Sequence, residues 1–153
     1  MQVWRICSRR RSRTALQGEG SRLYGGRWNP PGVSVVYTSG SLALAALEMF
    51  VNLDPEDMPQ DLVSIGATIP DGVQTESVAI ADLPAGWERA PAPEYLQLLG
   101  AGWVRRQNTA VLSVPSAVIP SERNFLLNPA HRDFKRIKIG KPVAFRFDPR
   151  LWR

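Results

Sequence analysis

The chain has one cysteine and one histidine in 153 residues. A single cysteine excludes an internal disulfide and any cysteine-built metal cluster within one chain. With no HExxH and no clustered Asp/His spacing, no metal is expected. The longest apolar run, LALAALEMF, is interrupted by Glu48, well short of the ~20 residues that a membrane span requires. No signal-peptide pattern precedes the first strand-like segment, so a reducing cytoplasm is the expected location. The Walker loop, GxGxxG and GxSxG are also missing, which leaves nothing to support a P-loop enzyme, a dinucleotide-binding βαβ unit or a serine hydrolase.

What is present fits one folded domain spanning 1–153. Hydrophobic residues make up 44% and charged residues 22%, close to the globular average. Thirteen prolines and twelve glycines imply many turns. Nineteen Lys+Arg against fourteen Asp+Glu give a net charge of +5, which favours an anionic partner without choosing among nucleic acid, a phosphorylated small molecule and an acidic protein. The densest basic run, RRRSR at Arg9–Arg13, would suit phosphates, but such runs are more often solvated faces.

Period-two alternation makes Gln2–Cys7 a first strand, with Arg5 oddly placed between Val3 and Cys7 on one face. Gln17–Gly32 carries too much glycine and proline for a regular element and reads as an ordered loop. Val33–Ser39 is a strand. Ser39 or Ser41 can cap the helix that follows, Leu42–Leu53, which Asp54-Pro55 ends. Strand pieces are expected at Leu62–Pro70 and Ser77–Pro84, a helix at Pro93–Asn108, and a strand at Thr109–Pro120, broken or bulged at Pro115. Glu122–Phe134 reads as a compact turn or short helix in which Asn124 and Asn128 cap turns. Lys135–Pro149 reads as a hairpin around Gly140-Lys141. The class is α+β, a mixed and mostly antiparallel sheet flanked by helices.

On a 3.6-residue helix Ser41, Ala45, Glu48 and Asn52 share one narrow polar stripe. The stripe is either a solvent face or the wall of a pocket whose only charge is Glu48. Tyr37 is either a sheet aromatic or, near the end of its strand, a neighbour of Glu48 in one cavity. In YGGRWNPPG two glycines permit close backbone approach. Arg27 offers a planar fork for phosphate or carboxylate, Trp28 a stacking face, and Asn29 donors and acceptors. The lone His131 reads as structural.

The order GGRWN, VVYTS, LALAALE and VPSAV, followed by NFLLNP and HRDF, resembles the RES domain, named for arginine, glutamate and serine. The likeness runs from Trp4-Arg5 to the C-terminal strands, so the whole chain reads as one RES domain. It implies a fold similar to ADP-ribosyltransferase toxins, a split mixed β-core around a cleft for NAD. It also implies a toxin of a type II toxin–antitoxin pair that depletes NAD by cleaving the nicotinamide–ribose bond, with water or phosphate as acceptor. Arg27, Tyr37 and Glu48 are then the catalytic residues. Ser116, Trp28, Asn29, Ser39 and Asn128 bind substrate. The implied partner is an Xre-type helix-turn-helix antitoxin, with the toxin a homodimer inside a larger complex that meets DNA only through the antitoxin. A mono-ADP-ribosyltransferase acting on a protein is the alternative. A basic RNA- or DNA-binding protein or RNase ranks below both, because neither basic run interleaves aromatics.

Overall fold

The computed structural model describes residues 1–152. Its strands are β1 (Gln2–Ser8), β2 (Val36–Ser39), β3 (Leu62–Thr68), β4 (Thr75–Ser77), β5 (Val111–Pro115), β6 (Arg123–Leu127), β7 (Lys138–Ile139) and β8 (Val143–Phe145). The helices are α1 (Glu19–Tyr24), α2 (Leu42–Phe50) and α3 (Glu94–Arg106), and Arg9–Thr14 forms a turn of 3-10 helix. One eight-stranded mixed sheet runs in the order β4-β5-β6-β2-β1-β3-β7, with β8 also on β3. Among the described residues only β4 and β5 run parallel. The α+β class, mostly antiparallel, therefore holds.

The split in the core lies between β1 and β2. These strands meet at one register pair, Trp4 with Ser39, whereas β1 pairs with β3 along its whole length from Gln2 to Ser8. On the other side of that seam β2 is fully paired with β6, and β6 with β5.

The central strands are buried on both faces. Val36, Val111 and Leu127 pack with Val3, Val63 and Ile65 on one side of the sheet. Leu112, Val114 and Leu126 pack with Trp28, Leu96 and Trp103 on the other. Two-sided burial removes the alternation that marks a half-exposed strand. β6 lies where a turn was expected, in the segment Arg123–Leu127; only its last two residues, Leu126 and Leu127, are buried, too short a stretch to show alternation. The Lys135–Pro149 segment also differs from expectation: β7 and β8 do not pair with each other but lie one after the other on β3. Gly140 sits between them with its amide on the Gly66 carbonyl at 2.7 Å, where a Cβ would come within 2.8 Å of that oxygen. The expected loop at Gln17–Gly32 contains the short α1, and two of its glycines flank the helix: Gly18 and Gly25 hold φ of 70° and 73°. Ser41, not Ser39, caps α2, its hydroxyl accepting from the Leu44 amide at 3.1 Å. His131 is buried and structural, its Nδ1 accepting from the Asp133 amide.

Helix α3 lies directly on the Gly26–Asn29 segment. A Cβ at Gly100 would stand 1.7 Å from the Trp28 carbonyl oxygen, so only glycine permits this approach. Gly100→Ala should therefore lift α3 and cost ~1–3 kcal/mol of stability, a fall in melting temperature of roughly 2–4 °C for each kcal/mol. The control is Gly102→Ala, whose Cβ meets only the end of the Arg106 side chain at 3.4 Å. It should leave the melting temperature level or raise it, since alanine is the better helix former.

Candidate functional site

A cleft of about 1470 Å³ opens along the β1–β2 seam. Its lining comes from β1, the 3-10 turn, α1, β2, α2 and the loop before α3.

Glu48 enters the cleft from the last turns of α2. Its Oε1 accepts from the Ser116 hydroxyl at 2.7 Å and from Asn124 Nδ2 at 2.5 Å. Both donors are themselves held. Ser116 Oγ accepts from the amides of Val118 and Ile119 at 3.1 and 3.0 Å, so its proton is free to point at the carboxylate. Asn124 Oδ1 accepts from Ser39 Oγ at 2.8 Å, and Ser39 and Asn124 are cross-strand partners in the β2–β6 ladder. The sheet register thus fixes the amide that fixes the carboxylate. Oε2 takes no hydrogen bond from the described residues, and Glu48 lines the cleft. Hydrogen bonds to a charged group contribute about 1.5–3 kcal/mol each, enough to hold one rotamer.

The GGRWN segment is built around Tyr37. The phenol donates to Asn29 Oδ1 at 2.6 Å and accepts from the Trp28 amide at 3.0 Å. Asn29, fully buried, turns its amide nitrogen toward the carbonyls of Ser21, Pro30 and Val33. A Cβ at Gly26 would sit 2.6 Å from the Tyr37 oxygen, so glycine is required for the phenol to reach this turn. Burial pushes the Tyr37 hydroxyl well above the ordinary phenol range, opposed by its hydrogen bonds and by Arg27.

Arg27 lines the cleft and uses Nη1 to clasp the loop before α3, donating to the carbonyls of Trp87 and Arg89 at 2.8 and 2.9 Å. Burial lowers its pKa, while the charges of Glu48, Tyr37 and Glu88 raise it. The guanidinium remains charged, with its other nitrogens free of protein partners among the described residues.

The cleft therefore brings together Arg27, Tyr37, Ser39 and Glu48 from the residues expected at the site. Four others stand differently. Ser116 has no exposure, and its hydroxyl donates to Glu48 Oε1. Asn29 holds Tyr37 from beneath. Trp28 reaches the cleft wall, but at 2% exposure its ring packs in the core with Trp87, Leu96 and Trp103 and offers no free stacking face. Asn128 lies outside the cleft, at the turn after β6, where its Oδ1 accepts from the Ala130 amide.

Two cleft residues escaped the sequence reading. Asn124 reads in the sequence as a turn cap, whereas the structure places it in β6. Arg5 was noted only as a misfit on its strand. Its half-buried guanidinium donates from Nη1 to the Tyr37 carbonyl at 3.0 Å and leaves Nε buried without a partner among the described residues. Burial lowers its pKa. An arginine on the apolar face of an otherwise regular strand was the available signal.

Comparison with known proteins follows the same lines. The RES domain pattern matches residues 2–148. A protein of Sphingobium sp. (strain YBL2) named Prs ADP-ribosylating toxin is 40% identical over 98% of this chain and 96% of its own length. Toxin Res of Yersinia enterocolitica serotype O:8 is 34% identical over 99% of both chains. In fold, the chain is similar to one in the crystal structure of the M. tuberculosis MbcT–MbcA toxin–antitoxin complex, with a TM-score of 0.72 at 20% identity, over 94% of this chain and 83% of that one.

The buried Tyr37 phenol has a direct spectroscopic consequence. In the unfolded chain it ionises near pH 10. In the folded chain it keeps its proton above that pH, so between the two values the unfolded state binds fewer protons and stability falls as pH rises. Of the three tyrosines, Tyr24 and Tyr95 are exposed. Alkaline titration followed at the phenolate absorbance should show one tyrosine that ionises only together with unfolding, and Tyr37→Phe should abolish that step.

Proposed function

Because the chain belongs to the RES domain family, we propose that it is the toxin of a toxin–antitoxin pair and that it acts on NAD, breaking the bond between nicotinamide and ribose. The observation that carries this reading is the Glu48 arrangement: one carboxylate oxygen is pinned by two donors, the other takes none from the described residues, and the residue lines a cleft that Arg27 and Tyr37 also line. Cleavage of an N-glycosidic bond builds positive charge on the ribose, and a fixed carboxylate favours that state over the ground state. The bond electrons leave with nicotinamide as a neutral molecule. Water or phosphate then attacks the ribose carbon, and its proton passes to Glu48 Oε2 or to solvent. Arg27 and Arg5 supply cations for the diphosphate, and Tyr37 borders the nicotinamide. Ser116, Asn124 and Ser39 act through Glu48.

The setting follows the family: the cytoplasm as location, an Xre-type helix-turn-helix antitoxin as partner, a homodimer within the larger complex, and DNA met only through the antitoxin. No helix among the described residues is long and apolar enough to cross a membrane.

A second reading transfers the ADP-ribose to a protein. It is favoured by the name of the Sphingobium relative, an ADP-ribosylating toxin 40% identical to this chain. NAD labelled in its adenosine half separates the two. Label in free ADP-ribose or its 1″-phosphate supports hydrolysis or phosphorolysis, and label retained on a macromolecule supports transfer.

In either case nicotinamide release by purified protein should fall ~100-fold or more in Glu48→Gln. It should also fall strongly in Arg27→Ala, and retained turnover in both variants would refute the site. Asn124→Ala removes one of the two donors to Oε1. A loss of 1.5–3 kcal/mol corresponds to about 10- to 100-fold in kcat with KM little changed. A change in KM alone would mean that Asn124 contacts substrate instead.

A further inference from the structure

Helix α2 is unevenly anchored. Its first half is capped by Ser41 and buries Leu44 and Ala45, but none of residues 46–54 is buried. Glu48 lies in that second stretch. Hydrogen bonds from Ser116 and Asn124 orient its carboxylate only while the helix backbone keeps its place.

Phe50 supplies the hold. At 3.6 residues per turn it projects roughly 200° round α2 from Glu48. It is not part of the cleft lining. Its ring packs on Phe147, with centroids 5.8 Å apart and planes tilted by 56°, and stacks on Trp152 at 6.5 Å and 21°. Phe147 is buried and meets Phe145 edge-on at 5.1 Å and 87°. Phe145 belongs to β8 and sits opposite Leu62 of β3. A chain of rings thus joins the end of α2, the helix that follows β2, to the β1–β3 side of the seam. Edge-on and stacked rings have preferred geometries, so they fix orientation as well as bury area.

The last ring is placed by its own 3-10 turn, Pro149–Trp152. Asp148 Oδ1 accepts from the Arg150 amide at 2.9 Å, and the same carboxylate takes Arg150 Nε and Nη2 at 3.0 and 2.8 Å. A capping aspartate followed by proline is a strong start for such a turn, which closes with the Leu151 amide on the Asp148 carbonyl at 3.0 Å. The turn lies beyond residues 2–148, the part that matches the RES pattern. Trp152 is 38% exposed, so it adds little to the core, and its aromatic contact is Phe50.

We propose that Trp152, together with Phe147, is a positioning residue: through Phe50 it clamps the second half of α2 where Glu48 meets the nicotinamide ribose. The reaction it serves rests on the functional reading above; the clamp on α2 does not. A displacement of about 1 Å at a reacting group can cost ~100-fold in rate, so a modest loosening of α2 is enough to register.

The test combines steady-state nicotinamide release with hydrogen–deuterium exchange. Trp152→Ala should lower kcat about tenfold with KM within about twofold, and Trp152→Phe, which keeps a ring, should restore most of it. Exchange in the second half of α2 should rise about tenfold in Trp152→Ala and stay level in β5 and β6. Because Phe50 is the intermediary, Phe50→Ala/Trp152→Ala should be no slower than Phe50→Ala alone. Leu151→Ala, exposed in the same turn, should change neither readout. Unchanged exchange in α2, or exchange that rises throughout the sheet, would overturn the clamp. An unchanged kcat in Trp152→Ala, a change confined to KM, or additive losses in the double variant would overturn the positioning role. Loss of α2 protection in Trp152→Ala of a protein that never releases nicotinamide would support the clamp and overturn the NAD reading alone.

Discussion

Between β1 and β2 the sheet is held by one register pair, Trp4 with Ser39, and the polar backbone on either side must find partners elsewhere. The Tyr37 carbonyl finds the Arg5 guanidinium. Where the strands separate, a cleft opens in the middle of the sheet, bordered by elements that are otherwise well paired and rigid. A carboxylate placed at such a seam can be reached by a ligand and still be gripped by side chains from β6 and from the end of β5. Most of the site follows from that incomplete closure.

Rigidity on the other side of the cleft comes from close approach. Gly100 lets α3 rest on the Trp28 carbonyl, and Gly26 lets the Tyr37 phenol enter the turn. Asn29 holds that phenol while its amide closes the loop from below. Arg27 emerges from this clamped segment, and its clasp on Trp87 and Arg89 ties the neighbouring loop to the same frame. Preorganisation of this kind lets a few polar groups act on developing charge without first rearranging.

The sequence made some of this legible. The strip Ser41, Ala45, Glu48, Asn52 signalled a polar wall on an apolar helix, and Ala45, Glu48 and Asn52 do line the cleft. Resemblance, not periodicity, linked Glu48 to Ser116. β6 and with it Asn124 are hidden in the sequence because the strand opens on the polar pair Arg123-Asn124 and runs on into consecutive apolar residues, Phe125 to Leu127, so that no alternation shows. The substrate role of Ser116 comes from the resemblance alone; in the structure the residue is fully buried and donates to Glu48. Trp28 reads as a stacking surface in the sequence for the same reason that it serves as core: a large apolar ring beside a glycine turn. The Arg5 oddity was visible, but the one-pair seam that gives it a task is a property of strand pairing that local pattern does not carry.

The central claim is that the free oxygen of Glu48 addresses the nicotinamide ribose. A crystal structure of the Glu48→Gln variant with intact NAD tests it most directly. The account predicts the dinucleotide in the β1–β2 cleft, with the ribose carbon that bears nicotinamide beside the residue-48 side chain and the residue still held by Ser116. A dinucleotide bound elsewhere, or bound in the cleft with its adenine end at residue 48, would contradict it.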